Sequence, residues 1–421
     1  MKVAVIGAGA AGLFCAGRLA SEDIGVEIFE RNEKPGKKIY ITGKGRCNLT
    51  NDCSVNDYLS HVVTNPKFMY SAAYSFTPSD TVTYFSEELG LKLKTERGGR
   101  VFPVSDKASD VTKVLVRKAE SEGTSIRYGS RVTAVKTENG RVCGVFEGEK
   151  FFPADAVVVA TGGFTYPSTG STGDGYGFAS AAGLRVVPPK ASLVGLAAKN
   201  VAGLQGVSLK NVSLSLYVNG KVRASAFGEM LFTHTGISGP VTLECSSRTA
   251  AYRDGSGAFP TGSYASVDLK PALNADELDA RLRREFAQTP LAEIKTVMRR
   301  LAPAALAAPV LAEAGISPTV KACDIRKESR VALAAAIKDL RFPLVGAEGR
   351  EQAIITSGGV DVGELDPKTM ESRKVKGLYF VGEVIDVDAL TGGFNLQTAF
   401  ATADCAARAI KAKSALIANF G

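Results

Sequence analysis

The sequence of 421 residues lacks any apolar run that approaches the roughly eighteen residues needed to cross a bilayer, so it predicts no transmembrane helix. Its seven cysteines are odd in number and irregularly spaced, which excludes a disulfide framework and a paired C-x-x-C metal site. Glycines interrupt the apolar stretch after Lys2, where an export signal would carry an apolar helix. These absences predict a cytoplasmic protein in a reducing setting, without membrane association or a metal.

Length and charge narrow the class of protein further. The chain is longer than one hydrophobic core usually supports, so two or three domains are expected. Hydrophobic residues at 45% and charged residues at 22% are typical of a folded globular protein. The net charge of +8 could attract phosphate-bearing partners, including RNA, but scattered lysines on a slightly basic enzyme account for it more simply.

A glycine-rich turn follows the first apolar segment, residues 3–6, which we predict to be a buried parallel strand. The order strand, G-x-G-x-x-G, helix places helix N–H groups and the positive end of the helix dipole where a pyrophosphate could bind. Glu30 ends the second predicted strand, close to where an acidic residue should meet a ribose hydroxyl. The predicted dinucleotide contacts in this region are Gly7, Gly9, Ala10, Ala11, Gly12 and Glu30.

A basic segment, residues 31–46, continues into a glycine-spaced polar loop at residues 42–51. Such a backbone offers many hydrogen-bond donors and little bulk, as a loop around a polar cofactor requires, although a solvated charged loop is the simpler alternative. The predicted cofactor contacts here are Arg31, Lys38, Gly43, Arg46, Cys47 and Asn48. Cys47 and Cys53 also suggest a redox dithiol, but their spacing is one residue longer than in flavin disulfide reductases.

Two later strands should return to the same sheet edge. The apolar strand at residues 156–160 runs into small residues, a turn at the carboxyl end of a parallel sheet, where such sheets bind ligands. With the N-terminal turn it favours FAD over NAD, and the glycine-rich run at residues 164–177 should line a cleft before a helix at residues 178–183. The segment 377–397 leads into a final helix, predicted at residues 398–411, whose N-terminal dipole would stabilise negative charge on a reduced flavin. The first and last segments must therefore meet in space. The predicted contacts are Thr161, Gly162, Gly163, Gly382, Glu383, Asp386, Gly392, Gly393, Asn395 and Leu396, with Val132 from an intervening β-meander.

The middle of the chain is predicted to form domains of its own. Alternating strands and the hairpin turn Asn219-Gly220 predict a β-rich domain. An alanine- and leucine-rich stretch that opens with a capping box of Asn274 and Glu277 predicts a helical insert. We therefore predict an α/β protein with an FAD-binding Rossmann-like three-layer domain at residues 1–188 and 350–421. A β-barrel-like substrate domain occupies residues 189–273 and 340–349, and the helical subdomain occupies residues 274–339. Glu229 and His234 are candidates for proton transfer to a substrate, but His234 could equally be structural.

The sequence resembles the BaiN/YhiN-like FAD-binding bacterial flavoproteins, also called the aminoacetone oxidase family. The matching blocks are residues 7–12, 43–51, 160–176, 228–240, 357–359 and 377–397. The chain departs from the family pattern at Lys44, where a glycine is common, and at residues 400–403, where a Ser/Gly-rich run is usual. The resemblance implies three domains and three alternative reactions. These are reduction of C=C bonds in steroid-like bile acid intermediates, oxidation of aminoacetone, and reduction of uridine to dihydrouridine in ribosomal RNA.

We therefore predict an FAD-dependent oxidoreductase that reduces an activated C=C bond by hydride transfer from flavin N5. NADH or NADPH would bind transiently as the reductant, and the substrate would be a small molecule. An amine oxidase that uses oxygen, a dihydrouridine synthase that acts on RNA, and a flavin carrier without catalysis remain alternatives. His234, Glu229 and Cys47 are the candidate groups for proton transfer.

Overall fold

The computed structural model describes the backbone of residues 1–420 and the side chains of residues 1–416. The chain forms two compact units. The first contains residues 1–190 and the chain from residue 354 onward, and the second contains residues 191–353. Each unit has its own hydrophobic core.

The strands, in chain order, are β1 (Lys2–Ile6), β2 (Gly25–Glu30), β3 (Thr50–Asn51), β4 (Leu93–Glu96), β5 (Arg100–Pro103), β6 (Ser125–Tyr128), β7 (Ala134–Glu138), β8 (Arg141–Glu147), β9 (Lys150–Pro153), β10 (Ala156–Val159), β11 (Val186–Ser192), β12 (Leu196–Ala198), β13 (Ser208–Val218), β14 (Lys221–Phe232), β15 (Gly236–Ser238), β16 (Tyr264–Asp268), β17 (Leu340–Ala347), β18 (Ile355–Val360) and β19 (Leu378–Phe380). The α-helices are α1 (Ala10–Leu19), α2 (Lys37–Ile41), α3 (Val55–His61), α4 (Tyr70–Ser75), α5 (Pro78–Thr83), α6 (Ala108–Ser121), α7 (Asp174–Ala181), α8 (Pro240–Arg248), α9 (Ala275–Gln288), α10 (Ile294–Met298), α11 (Ala307–Glu313), α12 (Lys327–Lys338) and α13 (Phe394–Phe420).

The first unit is built on a parallel sheet with the strand order β19-β10-β1-β2-β6. Strands β1 and β10 are almost entirely buried, as their continuous apolar sequences predicted for a sheet covered on both faces. Strand β19 pairs with β10 although more than two hundred residues separate them. The C-terminal segment therefore completes the sheet begun by the N-terminus, and the predicted meeting of the two ends is confirmed.

Helix α13 packs against α1 through an aromatic cluster. The ring of Phe400 lies 5.2 Å from that of Phe14, which also contacts Phe76 and Tyr84. Phe400 is fully buried, so this departure from the family pattern fills the core of the first unit. In the same run, the Thr402 hydroxyl accepts a hydrogen bond from the backbone N–H of Gly382 and holds the turn that follows β19.

Smaller antiparallel sheets surround this core. Strands β7, β8 and β9 form the predicted β-meander, and β3, β5 and β4 form a second three-stranded sheet. The latter contains the arginine-flanked turn Gly98-Gly99, where both residues have positive φ. Helix α7 begins at Asp174, four residues before the helix start predicted at residue 178, because the glycine-rich run itself enters the helix.

The second unit contains a closed barrel with the strand order β12-β15-β14-β13-β16-β17. Strands β13 and β14 meet at Asn219-Gly220, which both adopt positive φ, so the predicted hairpin is confirmed. The predicted capping box of Asn274 and Glu277 starts helix α9. Barrel strands and helices α9 to α12 bury one shared core, and the boundaries between a β-rich domain and a helical insert stay a prediction.

The α/β architecture with a parallel sheet, a closed barrel and helical parts confirms the predicted fold class. Within residues 1–420, no helix combines the length and apolar composition that a bilayer crossing requires.

Candidate functional site

A deep pocket lies in the first unit at the carboxyl ends of its parallel strands. The residues that end or follow β1, β2, β6, β10 and β19 converge on it, together with the first turns of α1 and α13. Its lining runs from the turn after β1 to the first turn of α13, as an extended cofactor requires. The predicted cofactor contacts that line it are Gly7, Gly9, Ala10, Ala11, Glu30, Arg31, Lys38, Val132, Thr161, Gly162, Gly382, Glu383, Asn395 and Leu396.

The turn between β1 and α1 leaves room for a ligand only at Gly9. A side-chain carbon at Gly7 would lie 2.7 Å from the backbone oxygen of Ala160, and one at Gly12 would overlap the carbonyl oxygen of Gly7. At Gly9, by contrast, no atom of the described chain lies within 4 Å of such a carbon. Gly9 is the N-cap of α1 and no side chain caps the helix, so its first N–H groups face the pocket without a partner.

Glu30 is buried at the end of β2, where its carboxylate shapes the turn beside it. One oxygen accepts the backbone N–H of Ala8 at 2.8 Å, and the other accepts the backbone N–H and side-chain amide of Asn32 at 2.8 and 2.7 Å. The oxygen that accepts from Ala8 has one lone pair left, so Glu30 can still accept a ribose hydroxyl. Asn32 also lines the pocket and was missed from the sequence, although its position two residues after Glu30 places it at the same strand end.

Three buried hydroxyls in the pocket wall have no hydrogen-bond partner among the described residues: those of Ser130, Thr161 and Ser171. A buried hydroxyl without a partner costs free energy on the order of 1–3 kcal/mol, so its partner is expected to be a ligand or water. FAD carries hydroxyl, carbonyl and phosphate oxygens along its length. The uncapped helix, the open space at Gly9 and these hydroxyls therefore fit FAD.

Lys38 forms the most strongly paired charge in the pocket wall. Its ammonium group donates to both carboxylate oxygens of Glu383, at 2.7 and 2.8 Å, and to the hydroxyl of Thr165 at 2.9 Å. Glu383 also accepts the backbone N–H of Thr356 at 2.9 Å. The two side chains are about one-fifth exposed, so this pair is fixed in place while its edge remains open to the pocket.

The first turn of α13 closes the pocket opposite α1. Asn395 accepts the backbone N–H of Ala389 at 2.9 Å and donates back to its carbonyl at 2.8 Å, which fixes the loop before the helix. Gly393 packs on Thr50 so closely that a side-chain carbon would overlap the Thr50 carbonyl. Gly392 and Gly393 therefore shape this end of the pocket without belonging to its lining.

Arg31 and Arg131 share one carboxylate at the pocket rim. Asp174 accepts from Arg31 at 3.3 Å and from Arg131 at 3.0 Å, and it also accepts the Thr172 hydroxyl at 2.9 Å. Burial opposes the ionisation of Asp174, but hydrogen bonds from Arg131 and Thr172 and the charges of both arginines outweigh it and lower the pKa. Asp174 and Arg131 were not predicted, although the prediction that the glycine-rich run lines a cleft is confirmed by its Gly170, Ser171 and Asp174.

Several predicted cofactor contacts lie outside the pocket lining and support nearby segments. Gly12 and Gly163 pack behind the wall, and Arg46 pairs with Glu96 at 2.9 Å while its guanidinium covers the ring of Phe102. Gly43 and Asn48 belong to the same loop, where a carbon at Gly43 would lie 2.9 Å from the Asn48 nitrogen.

Two titratable groups that we predicted for the site are buried. Burial raises the pKa of the Cys47 thiol to about 12, against a smaller lowering by the Thr42 hydroxyl, so the thiol stays protonated at neutral pH. Burial also raises the pKa of Asp386 to about 6, and the charges of Asp388 and Asp361 add to this while a hydrogen bond from Asn65 opposes it. Neither side chain belongs to the pocket lining.

The proposed proton-transfer residues Glu229 and His234 lie in the second unit. Glu229 is exposed on β14, and His234 is exposed in the turn between β14 and β15. The His234 ring makes no side-chain hydrogen bond to the described residues, so a structural role receives no support from its contacts. Their catalytic role stays a prediction. Within residues 1–416, no group of three or more His, Cys, Asp or Glu side chains could hold a metal ion.

Comparison with known proteins places the chain in a family. A family model described as the HI0933-like protein Rossmann domain matches residues 1–409. The chain is 33% identical over 410 residues to a ribosomal RNA dihydrouridine synthase of Haemophilus influenzae, with 96% of this chain and 97% of that protein covered. It is 34% identical over 422 residues to the protein of the same name from Escherichia coli, with 97% and 98% covered.

A third relative carries a different name. A 3-dehydro-bile acid delta(4,6)-reductase of Clostridium scindens is 31% identical over 417 residues, with 97% of this chain and 98% of that protein covered. Among solved structures, a 3-ketosteroid delta1-dehydrogenase from Sterolibacterium denitrificans shares the fold with a TM-score of 0.52 at 14% identity, covering 98% of this chain and 99% of that one. The chain therefore belongs to the HI0933-like Rossmann family and is an FAD-dependent oxidoreductase.

Proposed function

We propose that this enzyme reduces a carbon–carbon double bond conjugated to a carbonyl, and that its substrate is uridine within ribosomal RNA. The proposal depends on one observation, the chemistry shared by the near full-length relatives. A dihydrouridine synthase saturates the uracil C5=C6 bond, which is conjugated to the C4 carbonyl, and a delta(4,6)-reductase saturates bonds conjugated to a 3-oxo group. The two relatives named for ribosomal RNA and the net charge of +8 favour RNA over a steroid.

Bound FAD would supply the hydride for this reduction, and NADH or NADPH would supply the electrons that restore it. Along residues 1–420 the strand–turn–helix at Gly7 to Gly12 has no second copy that would hold NAD(P)H in a domain of its own. We therefore propose that the nicotinamide cofactor binds transiently.

The chain's own residues would position the cofactor and stabilise charge. Lys38 and Glu383 form a fixed ion pair in the pocket wall, which orients the polar groups of whatever lies against it. Helix α13 begins at the other wall, and the positive end of its dipole would stabilise negative charge on the cofactor ring.

Reduction of a conjugated double bond also requires a proton. Hydride arrives at the carbon β to the carbonyl, so negative charge develops on the α carbon and the carbonyl oxygen, and a proton must reach the α carbon. We propose His234 or Glu229 as its donor because both side chains are exposed and titratable. Cys47 is a weaker candidate because its thiol is buried and has a pKa of about 12.

Anaerobic single-turnover kinetics would test the proposal. The enzyme is first reduced with NADH or NADPH and then mixed with unmodified ribosomal RNA made by transcription, while flavin absorbance reports reoxidation. We expect reoxidation that depends on the RNA, and a gain of two hydrogens at a uridine by mass spectrometry. A 4-en-3-one steroid in place of RNA tests the alternative substrate class.

Separate measurement of the two half-reactions, flavin reduction by NAD(P)H and flavin reoxidation by RNA, provides the control. His234→Asn or Glu229→Gln should slow the RNA-dependent step by about 10²–10⁴-fold if that residue donates the proton, whereas reduction of the flavin by NAD(P)H does not need this proton. The proposal would be overturned in favour of an amine oxidase if neither RNA nor the steroid reoxidised the reduced enzyme, while the oxidised enzyme, without NAD(P)H, released hydrogen peroxide in air only when aminoacetone was added.

A further inference from the structure

The three-stranded sheet β3-β5-β4 and the loop before it carry a concentration of positive charge. We call the side chains of Lys44, Arg46, Lys94, Arg97 and Arg100 the basic hairpin surface. Two nearby carboxylates, Glu96 and Asp106, are already engaged in ion pairs with Arg46 and Lys94 at 2.6 to 3.5 Å. A third, that of the exposed Asp52, follows β3 beside the hairpin turn. The surface therefore has more cations than its own anions can neutralise.

The remaining cations are free for a partner. Lys44 and Arg97 are exposed, and neither side chain forms an ion pair with any residue within 1–416. Arg100 is also exposed, and its guanidinium donates only to the backbone carbonyl of Arg97, a bond that steadies the turn. Exposed cations without partners are the groups that bind phosphates, because they lose no existing ion pair on binding.

One side-chain contact holds the loop of this surface against the hairpin. The guanidinium of Arg46 lies 4.2 Å from the centre of the Phe102 ring, which ties the loop to strand β5. Lys44 adopts a left-handed backbone conformation with φ of 58°, which disfavours a residue with a side chain. A lysine that keeps a strained conformation here is consistent with a use for its charge.

The basic hairpin surface adjoins the pocket. Thr42 lines the pocket, and Lys44 follows two residues later in the same loop. On the other side, the side-chain amide of Asn51 donates to the carbonyl of Gly98 at 3.0 Å and to that of Gly392 at 3.1 Å. One side chain thus connects the hairpin turn to the residues that open α13 at the pocket wall.

We propose that the basic hairpin surface binds the sugar–phosphate backbone of the RNA whose uridine enters the active site. This inference rests on the proposed function. Phosphates on either side of the target nucleotide would contact Lys44 and Arg97, while the ion pairs of Arg46 and Lys94 keep the hairpin in place. The contacts are to phosphates, so they position the RNA without selecting its sequence.

The test compares two double variants that each remove two positive charges. Lys44→Gly/Arg97→Ala removes the two cations proposed to contact the phosphates. Arg141→Ala/Lys376→Ala is the matched control, since both residues are exposed and pair with each other just before β19, at the amino ends of the parallel strands, whereas the pocket lies at their carboxyl ends. Binding of transcribed, unmodified ribosomal RNA to each FAD-loaded protein is measured by filter binding from 50 to 200 mM KCl.

Each lost phosphate contact should make the slope of log K against log[salt] shallower by about 0.7–0.9. From 50 to 200 mM KCl, the factor by which affinity falls should therefore be about tenfold smaller for the surface variant than for the wild type. The surface variant should also bind more weakly than the wild type at 50 mM. The control variant should keep the wild-type slope. Neither variant should have a thermal unfolding temperature below that of the wild type. In the surface variant, Lys44→Gly also relieves backbone strain.

A surface variant with the wild-type slope and affinity would overturn the inference, as would a control variant that loses as much as the surface variant. Failure of the proposed function is read separately, from the products of the wild-type enzyme. Wild-type enzyme that forms no dihydrouridine contradicts the substrate, whatever the titrations show.

Discussion

Gly9→Ala should separate cofactor binding from folding. The new methyl group would meet no atom of the described chain within 4 Å, and the backbone at Gly9 has φ of −85°, which alanine adopts without strain. Alanine is a poorer N-cap than glycine, but it also lowers the entropy of the unfolded chain, and these two effects of about 0.5–1 kcal/mol oppose each other. The stability of the apoprotein should therefore change by less than about 1 kcal/mol.

The same methyl group would occupy the space in which a pyrophosphate must approach the N-terminus of α1. Overfilling a packed contact costs about 1–3 kcal/mol, which corresponds to a Kd for FAD raised by about 5- to 150-fold. Gly12→Ala is the contrasting variant, because its methyl group would overlap the Gly7 carbonyl and destabilise the protein itself.

Two measurements on apoprotein distinguish these effects: urea unfolding, and titration with FAD followed by quenching of flavin fluorescence. We expect Gly9→Ala to unfold at nearly the wild-type urea concentration and to bind FAD weakly, and Gly12→Ala to unfold earlier. Wild-type FAD affinity in Gly9→Ala would refute the assignment of this turn to the pyrophosphate.

Three further predictions follow from individual residues. Lys44→Gly should raise the free energy of unfolding by about 0.5–1 kcal/mol in urea, since glycine adopts φ of 58° without strain; unchanged or lower stability would contradict this. A maleimide should label the exposed Cys323 in the native protein and leave Cys47 unlabelled until the protein unfolds, as peptide mapping would show. The raised pKa of Asp386 means that the folded state holds a proton that the unfolded state has lost between about pH 4 and pH 6. The wild type should therefore lose stability relative to Asp386→Asn as the pH rises through this range. Equal urea midpoints of the two proteins across the range would count against the prediction.

The features that were predicted correctly from the sequence are those in which a single physical requirement limits which residues can occur. Apolar strands buried on both faces, the glycines of the first turn, and Asn219-Gly220 each allow few alternatives, and the structure has them as expected. The start of α13 was harder to predict, because the glycines before this helix resemble a loop in sequence. In the structure they allow close packing against Thr50.

The contacts that were missed are long-range. Arg131 and Arg31 lie a hundred residues apart, and neither carries a local sign that both share Asp174. Arg46 was placed at the cofactor for its charge, but that charge is satisfied by Glu96 on a hairpin that no spacing rule connects to the loop. Such pairings depend on the tertiary fold, which residue spacing does not encode.

The pairing of β10 with β19 has a consequence for synthesis on the ribosome. Strand β10 emerges more than two hundred residues before β19, and α13, which covers α1, emerges after β19. Until then the growing chain exposes an unpaired edge of apolar strand and an uncovered helix face, both of which promote association with other chains. Premature termination before residue 378, which removes both β19 and α13, should therefore yield aggregated protein that cannot retain flavin, rather than a shortened enzyme.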